Sequence, residues 1–320
     1  MNNFLKSVLL VAITVFVVSC SSDSTSTEPL RDYATQYATD IDNIETFMKT
    51  HYMEVVNNPG GADDQDVTYT KIPTGGAQVS IWDQTTYPVQ TLLVDKNNIT
   101  YKLYYIQLRQ GSGSNSKSPC NVDRVLTSYR GEYIYTGTEG TNDVILAKQF
   151  EELVNPQSYF NLTGVVSGWG EVFPKFKTGS YVGNADGTVS YFDFGAGIMF
   201  LPSGLAYYSS GAGGIPSYSP LIFNFKLYEI SRTDLDGDGI DSYLEDLNGD
   251  GYVRTLASGV VNPDDTDGDE IPEFLDIDDD GDYFTTKSEI NNPATNNPFP
   301  FADIPLCTDG KKKHLSNVCH

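Results

Sequence analysis

The chain has 320 residues, a formal net charge of −23 and a hydrophobic fraction of 39%. That fraction is enough to build a core, which excludes a wholly disordered chain. Nucleic-acid binding requires a basic face that displaces counterions, so the acidic composition excludes nucleic acid as a partner. The acid is concentrated between Asp234 and Glu289, where 19 acidic residues stand against two basic ones, and such a cluster predicts bound cations.

The first 29 residues predict an exported lipoprotein. An apolar run at 8–18 follows Lys6 and is too short to span a bilayer comfortably, and Val17-Val18-Ser19-Cys20 follows at once. This arrangement resembles a bacterial lipobox, which implies a signal peptide over 1–19, acylation of Cys20 and a polar tether over 20–29. A plain signal peptide that happens to contain a cysteine is the alternative. We expect a protein of the bacterial cell envelope, at the outer membrane, whose only membrane contact is its lipid anchor.

Three further cysteines follow Cys20. Cys307 and Cys319 close a short loop and are predicted to pair in an oxidising compartment, which leaves Cys120 as a free, buried thiol. A zinc site formed by these two cysteines with His314 and His320 is the less favoured alternative, because its spacing matches no common zinc pattern.

Residues 30–100 are predicted to form an N-terminal helix and an insertion. Apolar residues recur every three or four positions from 30 to 53, which indicates one helical stripe, and Asn-Asn-Pro-Gly-Gly at 57–61 ends it. The helix either docks or dimerises, or it simply packs on the next domain. The polar stretch 62–100 has short β-like runs and is interpreted as a hairpin or an insertion.

Residues 101–231 are predicted to be an α+β domain with an antiparallel sheet on a short helix. Alternating apolar residues predict strands at 101–110, 124–135 and 221–230, and a helix is expected at 170–176. Turn residues within 181–200 indicate an inserted hairpin.

Several motifs of this domain stand in an order and spacing that resemble the FKBP-type peptidyl-prolyl cis–trans isomerases. The more specific ones are Val165-Val166-x-Gly168-Trp169 and Pro202-Ser203-x-Leu205-Ala206-Tyr207, and the others centre on Tyr129, Gly131, Phe150, Phe160, Gly179, Ile215 and Phe223. The resemblance covers about a third of the chain. It implies an isomerase whose partners are proline-containing polypeptides and which needs no cofactor for catalysis.

The resemblance also implies the roles of the site residues. Trp169 would form the floor of a dry pocket for the proline ring, with Tyr129, Phe150 and Phe223 as its walls and Ile215 at its rim. The Val166 N–H and the Tyr207 hydroxyl would hold substrate carbonyls. The full set is Tyr129, Phe150, Glu151, Val165, Val166, Trp169, Tyr207, Ile215 and Phe223. Glu151 stands where the family usually has Asp, and Tyr208 replaces the Gly that usually follows the Ala-Tyr pair. The alternative is that these aromatic residues are ordinary core.

The acidic segment 232–290 contains calcium-loop spacing. Asp234, Asp236, Asp238, Ile240 and Glu245 occupy loop positions 1, 3, 5, 7 and 12 of the calcium-loop frame, with Gly at position 6. A second good frame, which lacks only the Gly, consists of Asp278, Asp280, Asp282, Phe284 and Glu289. A third frame, with Asp265, Asp267, Asp269, Ile271 and Asp276, is weaker because Glu270 replaces the Gly and Asp replaces the final Glu. A fourth, from Asp246, has Ala257 at position 12 and is either incomplete or completed by a neighbour.

Prolines at 263 and 272 argue against the flanking helices of EF-hands. The run resembles a thrombospondin type 3-like calcium array, which implies structural calcium ions. Residues 291–320, rich in Pro and Asn, are interpreted as a C-terminal tail. A disordered acidic tail is the alternative.

Two functions are therefore expected. The first is a lipid-anchored peptidyl-prolyl isomerase that assists the folding of exported proteins and carries a calcium-stiffened module. The second is a non-catalytic, calcium-dependent surface binding or adhesion module that uses an FKBP-like domain only to bind peptides.

Overall fold

The computed structural model describes residues 29–320. The predicted signal peptide and Cys20 lie outside the described residues. Within the described part of the chain, no helix combines the length and the apolarity needed to cross a membrane. The helices and strands, in chain order, are α1 (Tyr33–Thr50), β1 (His51–Val55), β2 (Val67–Lys71), β3 (Val89–Lys96), β4 (Ile99–Arg109), β5 (Arg124–Glu139), β6 (Asn142–Leu153), β7 (Phe160–Asn161), α2 (Ser167–Val172), β8 (Ser180–Gly183), β9 (Val189–Phe192), β10 (Gly195–Leu201), β11 (Leu221–Ser231), α3 (Thr286–Glu289), β12 (Asn291–Asn292) and β13 (Asn297–Pro298).

A mixed α/β architecture with antiparallel strands is confirmed. The main sheet runs in the order β3-β4-β10-β11-β5-β6, with β7 also paired to β5, and each neighbouring pair is antiparallel. All seven residues of β10 are buried. Because side chains alternate across a strand, a central strand buried throughout needs cover on both faces of the sheet.

Helix α1 covers one face. Asp32 caps its N-terminus by accepting from Thr35 N–H at 2.9 Å, and Ile44, Phe47 and Met48 pack into the core of this face. The same helix buries Asp40, whose Oδ2 accepts from the backbone N–H of Ser203 at 2.7 Å and from its hydroxyl at 2.6 Å. The helix therefore packs on the domain and holds the segment that follows β10.

The helix ends at Thr50, not at residue 53 as predicted. His51 is already extended, and β1 pairs with β2 along its whole length. Tyr52 fits a helical stripe, but it equally fits a strand, and tertiary pairing decided between them. The β-like run at 79–82 forms no strand. Instead, Trp82 N–H donates to Met48 O at 3.1 Å and Ile81 N–H to His51 O at 2.8 Å, near the end of the helix.

The other face of the sheet carries α2 and a second core. Trp169, Val172 and Phe173 pack here against Phe223 and Phe225 of β11. Gly168 permits the close approach of α2, because a Cβ at this position would come within 2.5 Å of the Leu201 side chain on β10. The predicted helix at 170–176 is thus observed three residues earlier, and residues 173–175 continue it as a 3-10 turn.

Strands β3, β10 and β6 differ from the elements predicted from the sequence. The strand β3 pairs with β4 from Val89 to Lys96, so the main sheet begins before the predicted boundary at 101. The inserted hairpin consists of β8 and β9 only, whereas Gly195–Leu201 is the central strand β10. Strand β6, which was not predicted, lies at the sheet edge and buries no complete face.

The acidic segment packs on the sheet domain rather than extending away from it. Val253 and Phe274 form a small core with Cys120 and Val122, and Ile240 forms another with Ile290 and Ile304. The second core joins the acidic segment to the C-terminal tail. The structure also pairs Cys307 with Cys319 and, among the described residues, leaves Cys120 buried and unpaired, as predicted. The paired thiols are not free to form the alternative zinc site.

Candidate functional site

An aromatic cluster lies between β5, β11 and α2. The Trp169 ring lies 5.1 Å from the ring of Tyr129 and 5.3 Å from that of Phe223, both edge to face. The Phe150 ring also belongs to the cluster, since its centroid lies 5.8 Å from that of the Phe223 ring. Gly131 makes room for Phe150, because a Cβ there would come within 2.3 Å of the Phe150 ring. The structure thus brings together the predicted floor and walls.

The side chains of this aromatic cluster and its rim differ in their exposure to solvent. Trp169 and Phe223 are each 3% exposed, whereas Tyr129 and Phe150 are half-buried and Tyr207 is 39% exposed. The indole is therefore less accessible than the open floor that the resemblance implies. Its Nε1–H is nevertheless buried without a hydrogen-bond partner among the described residues. A buried donor of this kind fits a bound oxygen from a ligand or a water molecule.

Tyr129 connects the cluster to Glu151. Its hydroxyl donates to Glu151 Oε2 at 2.6 Å. Burial, followed by this carboxylate, raises the pKa of the Tyr129 hydroxyl well above its usual value. Burial and Glu151 also raise the pKa of Tyr207. Both hydroxyls therefore remain protonated at neutral pH and can donate hydrogen bonds.

Two donors at the rim are available for a ligand. Within the described chain, neither the Val166 N–H nor the Tyr207 hydroxyl makes a hydrogen bond. Both residues line a cavity of about 540 Å³ that also touches Val165, but Trp169 and the rings of Tyr129, Phe150 and Phe223 do not line it. Ile215, the predicted rim residue, is buried in the same core as Trp169. All nine predicted residues consequently lie in one neighbourhood.

Phe160 belongs to the aromatic cluster but was not among the predicted site residues. Its ring meets Trp169 at 5.6 Å and Tyr129 at 5.8 Å, and it is half-buried. The short strand β7 holds it, since Val125 of β5 pairs with Phe160. The motif Phe160-x-Leu162 was visible in the sequence, but only the pairing shows that the ring joins the wall.

Tyr208 and the inserted hairpin pack on other parts of the domain than Trp169. Tyr208 turns toward α1, where it stacks on Tyr33 at 4.3 Å and its hydroxyl donates to Arg31 O. Its φ of +47° is the left-handed conformation that favours Gly, the residue the resemblance implies at this position. In the inserted hairpin, Tyr191 stacks on Tyr228 of β11 at 4.7 Å.

Three predicted carboxylate groups converge as their spacing requires. In each group, one oxygen per residue lies within 4.8 Å of the others. The groups are Asp234, Asp236 and Asp238; Asp265, Asp267 and Asp269; and Asp278, Asp280 and Asp282. In the first group, Asp238 Oδ1 accepts from Ile240 N–H at 2.7 Å, which fixes the loop, while Asp238 Oδ2 has no partner among the described residues.

The later loop positions differ among the frames. Glu289 is 2% exposed and close enough to Asp280 for that carboxylate to add to burial in raising the Glu289 pKa to about 8. Asp276 has a raised pKa, mainly from burial and next from Asp269. Phe284 is 46% exposed and stacks on His320.

The calcium-loop frames predicted from the sequence leave out three acidic residues of this region. Asp264 accepts from Leu247 N–H at 2.9 Å and so approaches the loop that begins at Asp246. Glu273 is 1% exposed and both its carboxylate oxygens lack partners in the described chain. Asp279 joins Asp238 and Glu245 in a fourth convergent group. The loop frames count every second residue, so Asp279 had no place in them.

Comparisons with known proteins give partial matches. The family model "BamM C-terminal" matches residues 235–314, so the model that matches the acidic segment is not a thrombospondin repeat. No curated protein shows a significant match.

Three similar solved structures each match less than half of this chain. A peptidyl-prolyl cis–trans isomerase from Pseudomonas syringae is 24% identical over 41% of this chain and 76% of its own, with a TM-score of 0.29. FkpA from Escherichia coli is 24% identical over 40% of this chain and 48% of its own, with a TM-score of 0.26. The N-terminal domain of FKBP42 from Arabidopsis thaliana is 14% identical over 44% of this chain and 92% of its own, with a TM-score of 0.29.

Proposed function

We propose that the chain is a peptidyl-prolyl cis–trans isomerase that acts on exported polypeptides and is anchored to the bacterial envelope through a lipid on Cys20. The observation that carries the proposal is the convergence of nine residues from separate segments around one aromatic cluster, with two rim donors that have no partner among the described residues. The buried Trp169 Nε1–H also lacks a partner among the described residues, and buried donors normally have one.

The chemistry suits such a lining. Rotation about an X-Pro bond is opposed by amide resonance, with a barrier of about 20 kcal/mol, and breaks no covalent bond. A catalyst has to bind the twisted amide better than either planar form. Apolar walls such as Phe150 and Phe223 withdraw water from the amide, which weakens its charge-separated resonance form. The Val166 N–H and the Tyr207 hydroxyl hold the flanking carbonyls while the bond turns.

The acidic segment is proposed to bind calcium ions with a structural role. Glu245 supports this most directly, because it is 3% exposed and both its oxygens lack hydrogen-bond partners in the described chain. Burial, followed by the neighbouring carboxylates, raises the Glu245 pKa to about 10. In its ionised form a carboxylate buried in this way needs a compensating charge, and a hard divalent cation with oxygen ligands supplies it in place of the proton.

A protease-coupled proline isomerisation assay tests catalysis. We expect Trp169→Ala to reduce the rate to the uncatalysed level, whereas Trp82→Ala should leave it unchanged. Trp82 is the matched control because it packs near Tyr104 on the opposite core. Tyr207→Phe is a second variant that avoids the buried core and should lower kcat/KM several-fold. Equal rates for wild type and Trp169→Ala would overturn the catalytic proposal.

The non-catalytic binding module is the second candidate. Two departures from the resemblance at the rim favour it: Glu151 stands where the resemblance implies Asp, and Tyr208 stands where it implies Gly. Calcium-dependent binding of a proline-containing peptide, without any rate enhancement, would favour this function over the first.

A further inference from the structure

The first and last acidic loops meet in a buried group of carboxylates. One oxygen from each of Asp238, Glu245 and Asp279 lies within 4.8 Å of the other two. Asp238 and Glu245 belong to the first loop, whereas Asp279 lies between two residues of the last frame, Asp278 and Asp280. The group therefore exists only because the chain folds back on itself.

These carboxylates are buried without compensation. None of the three side chains is more than 3% exposed. Of their six oxygens, Asp238 Oδ1 accepts a hydrogen bond, and the other five have no partner among the described residues. The nearby cation Lys287 donates to Gly237 O instead, at 3.0 Å.

The spacing suits one hard divalent cation. Calcium binds carboxylate oxygens at 2.3–2.6 Å, so two ligands of one ion lie at most about 5.2 Å apart. The observed separations, all within 4.8 Å, meet this condition. Glu245 has two free oxygens and can bind in the bidentate manner that is typical of the last position of a calcium loop.

We propose that Asp279 is a ligand of a cation held together with Asp238 and Glu245, so that one calcium-like ion ties the last acidic loop to the first. This inference rests on the proposed calcium binding and adds a ligand that the loop frames do not contain. This bridging ion would lie beside the small core of Ile240, Ile290 and Ile304.

Calcium titration of the chelator-treated full chain tests whether Asp279 is a ligand of the bridging ion. The readout is the number of bound ions and their affinity. We expect Asp279→Asn to bind one ion fewer than wild type, or to bind one ion at least tenfold more weakly. Asp303→Asn is the control, because Asp303 is exposed in the same part of the chain. Glu245→Gln should repeat the result of Asp279→Asn if that variant folds poorly.

Thermal unfolding with and without calcium separates a ligand from a merely structural residue. Without calcium, Asp279→Asn should have the same Tm as wild type or a higher one, because a repelling carboxylate has been removed. With saturating calcium its Tm should be the lower of the two. An equal loss of Tm in both conditions, or unchanged calcium binding by the variant, would overturn the bridging-ion proposal but not the proposal that the segment binds calcium. A wild-type chain that binds no calcium would overturn the calcium proposal as well.

Discussion

The guanidinium of Arg254 binds the carboxylate of Glu171 through two parallel hydrogen bonds, from Nη1 to Oε1 at 2.9 Å and from Nη2 to Oε2 at 2.7 Å. Glu171 lies on α2, two residues after Trp169. The Tyr252 hydroxyl donates to the Glu171 carbonyl at 2.7 Å. The acidic segment is thus attached to the helix that carries the floor of the aromatic cluster.

Substituting Glu171 by Gln should loosen this attachment. Arg254 is partly solvent-exposed, so screening limits the expected loss of stability to about 1 kcal/mol. Hydrogen exchange should become faster at residues 252–254 and along α2, because the paired charge that orders them is gone. Glu152→Gln, at an exposed position on β6, is the control. Unchanged exchange in both segments would show that the ion pair does not hold them together.

The Tyr129 hydroxyl should contribute to catalysis through Glu151. Tyr129→Phe removes the 2.6 Å hydrogen bond, and a loss of about 1 kcal/mol corresponds to a fall in kcat/KM of about fivefold. The coupled isomerisation assay measures this change. Tyr135→Phe, an exposed tyrosine on the same strand, should leave the rate unchanged. A full loss of activity in Tyr129→Phe would instead point to a direct contact with the substrate.

Tyr208 should be strained by its backbone conformation. Tyr208→Ala keeps the positive φ and loses the stacking on Tyr33, whereas Tyr208→Gly loses the same contacts and relieves the strain. We expect the Gly variant to be more stable than the Ala variant by about 1 kcal/mol in urea unfolding. Equal stability of the two would mean that φ at this position costs nothing.

Asp40 should make stability depend on pH. Burial raises its pKa from 3.8 to about 6, although Ser203 and Gln36 donate hydrogen bonds that oppose the shift. A raised pKa means that the folded state binds the proton more tightly, so the stabilisation is complete below pH 3.8 and is lost as pH rises through 6. The shift corresponds to roughly 3 kcal/mol.

Asp40→Asn isolates this effect. The free energy of unfolding of wild type, relative to this variant, should fall by up to roughly 3 kcal/mol between pH 4 and pH 7. Asp42→Asn, at an exposed position on the same helix, should show no such change relative to wild type. A constant difference between wild type and Asp40→Asn across this range would contradict the raised pKa.

Removal of calcium should expand the acidic segment while the sheet domain stays folded. The 19 acidic residues between Asp234 and Glu289 repel one another without a counterion, whereas the sheet has its own core. The hydrodynamic radius should increase on addition of EDTA, with the near-ultraviolet circular dichroism of the aromatic core retained. An unchanged radius would contradict the calcium-dependent compaction.

Local pattern was sufficient for much of the sheet domain. Alternation located β4, β5 and β11 to within a few residues, because side chains of a strand repeat with a period of two. It was insufficient at residues 51–55, where the spacing suits a helix and a strand alike. It also missed β6, which lies at the sheet edge and leaves most of its side chains partly or fully exposed.

The sequence by itself determined which residue types could form the site: the aromatic motifs around Trp169 and the alternate carboxylates of the acidic loops are visible as spacing. Tertiary structure alone decided that Phe160 joins the aromatic wall, that Tyr208 turns toward Tyr33, and that Asp279 meets Glu245. The physical reason is that spacing reports only the periodicity of one element. Contacts between distant segments depend on strand pairing and on how buried charges are compensated, and no local repeat encodes either.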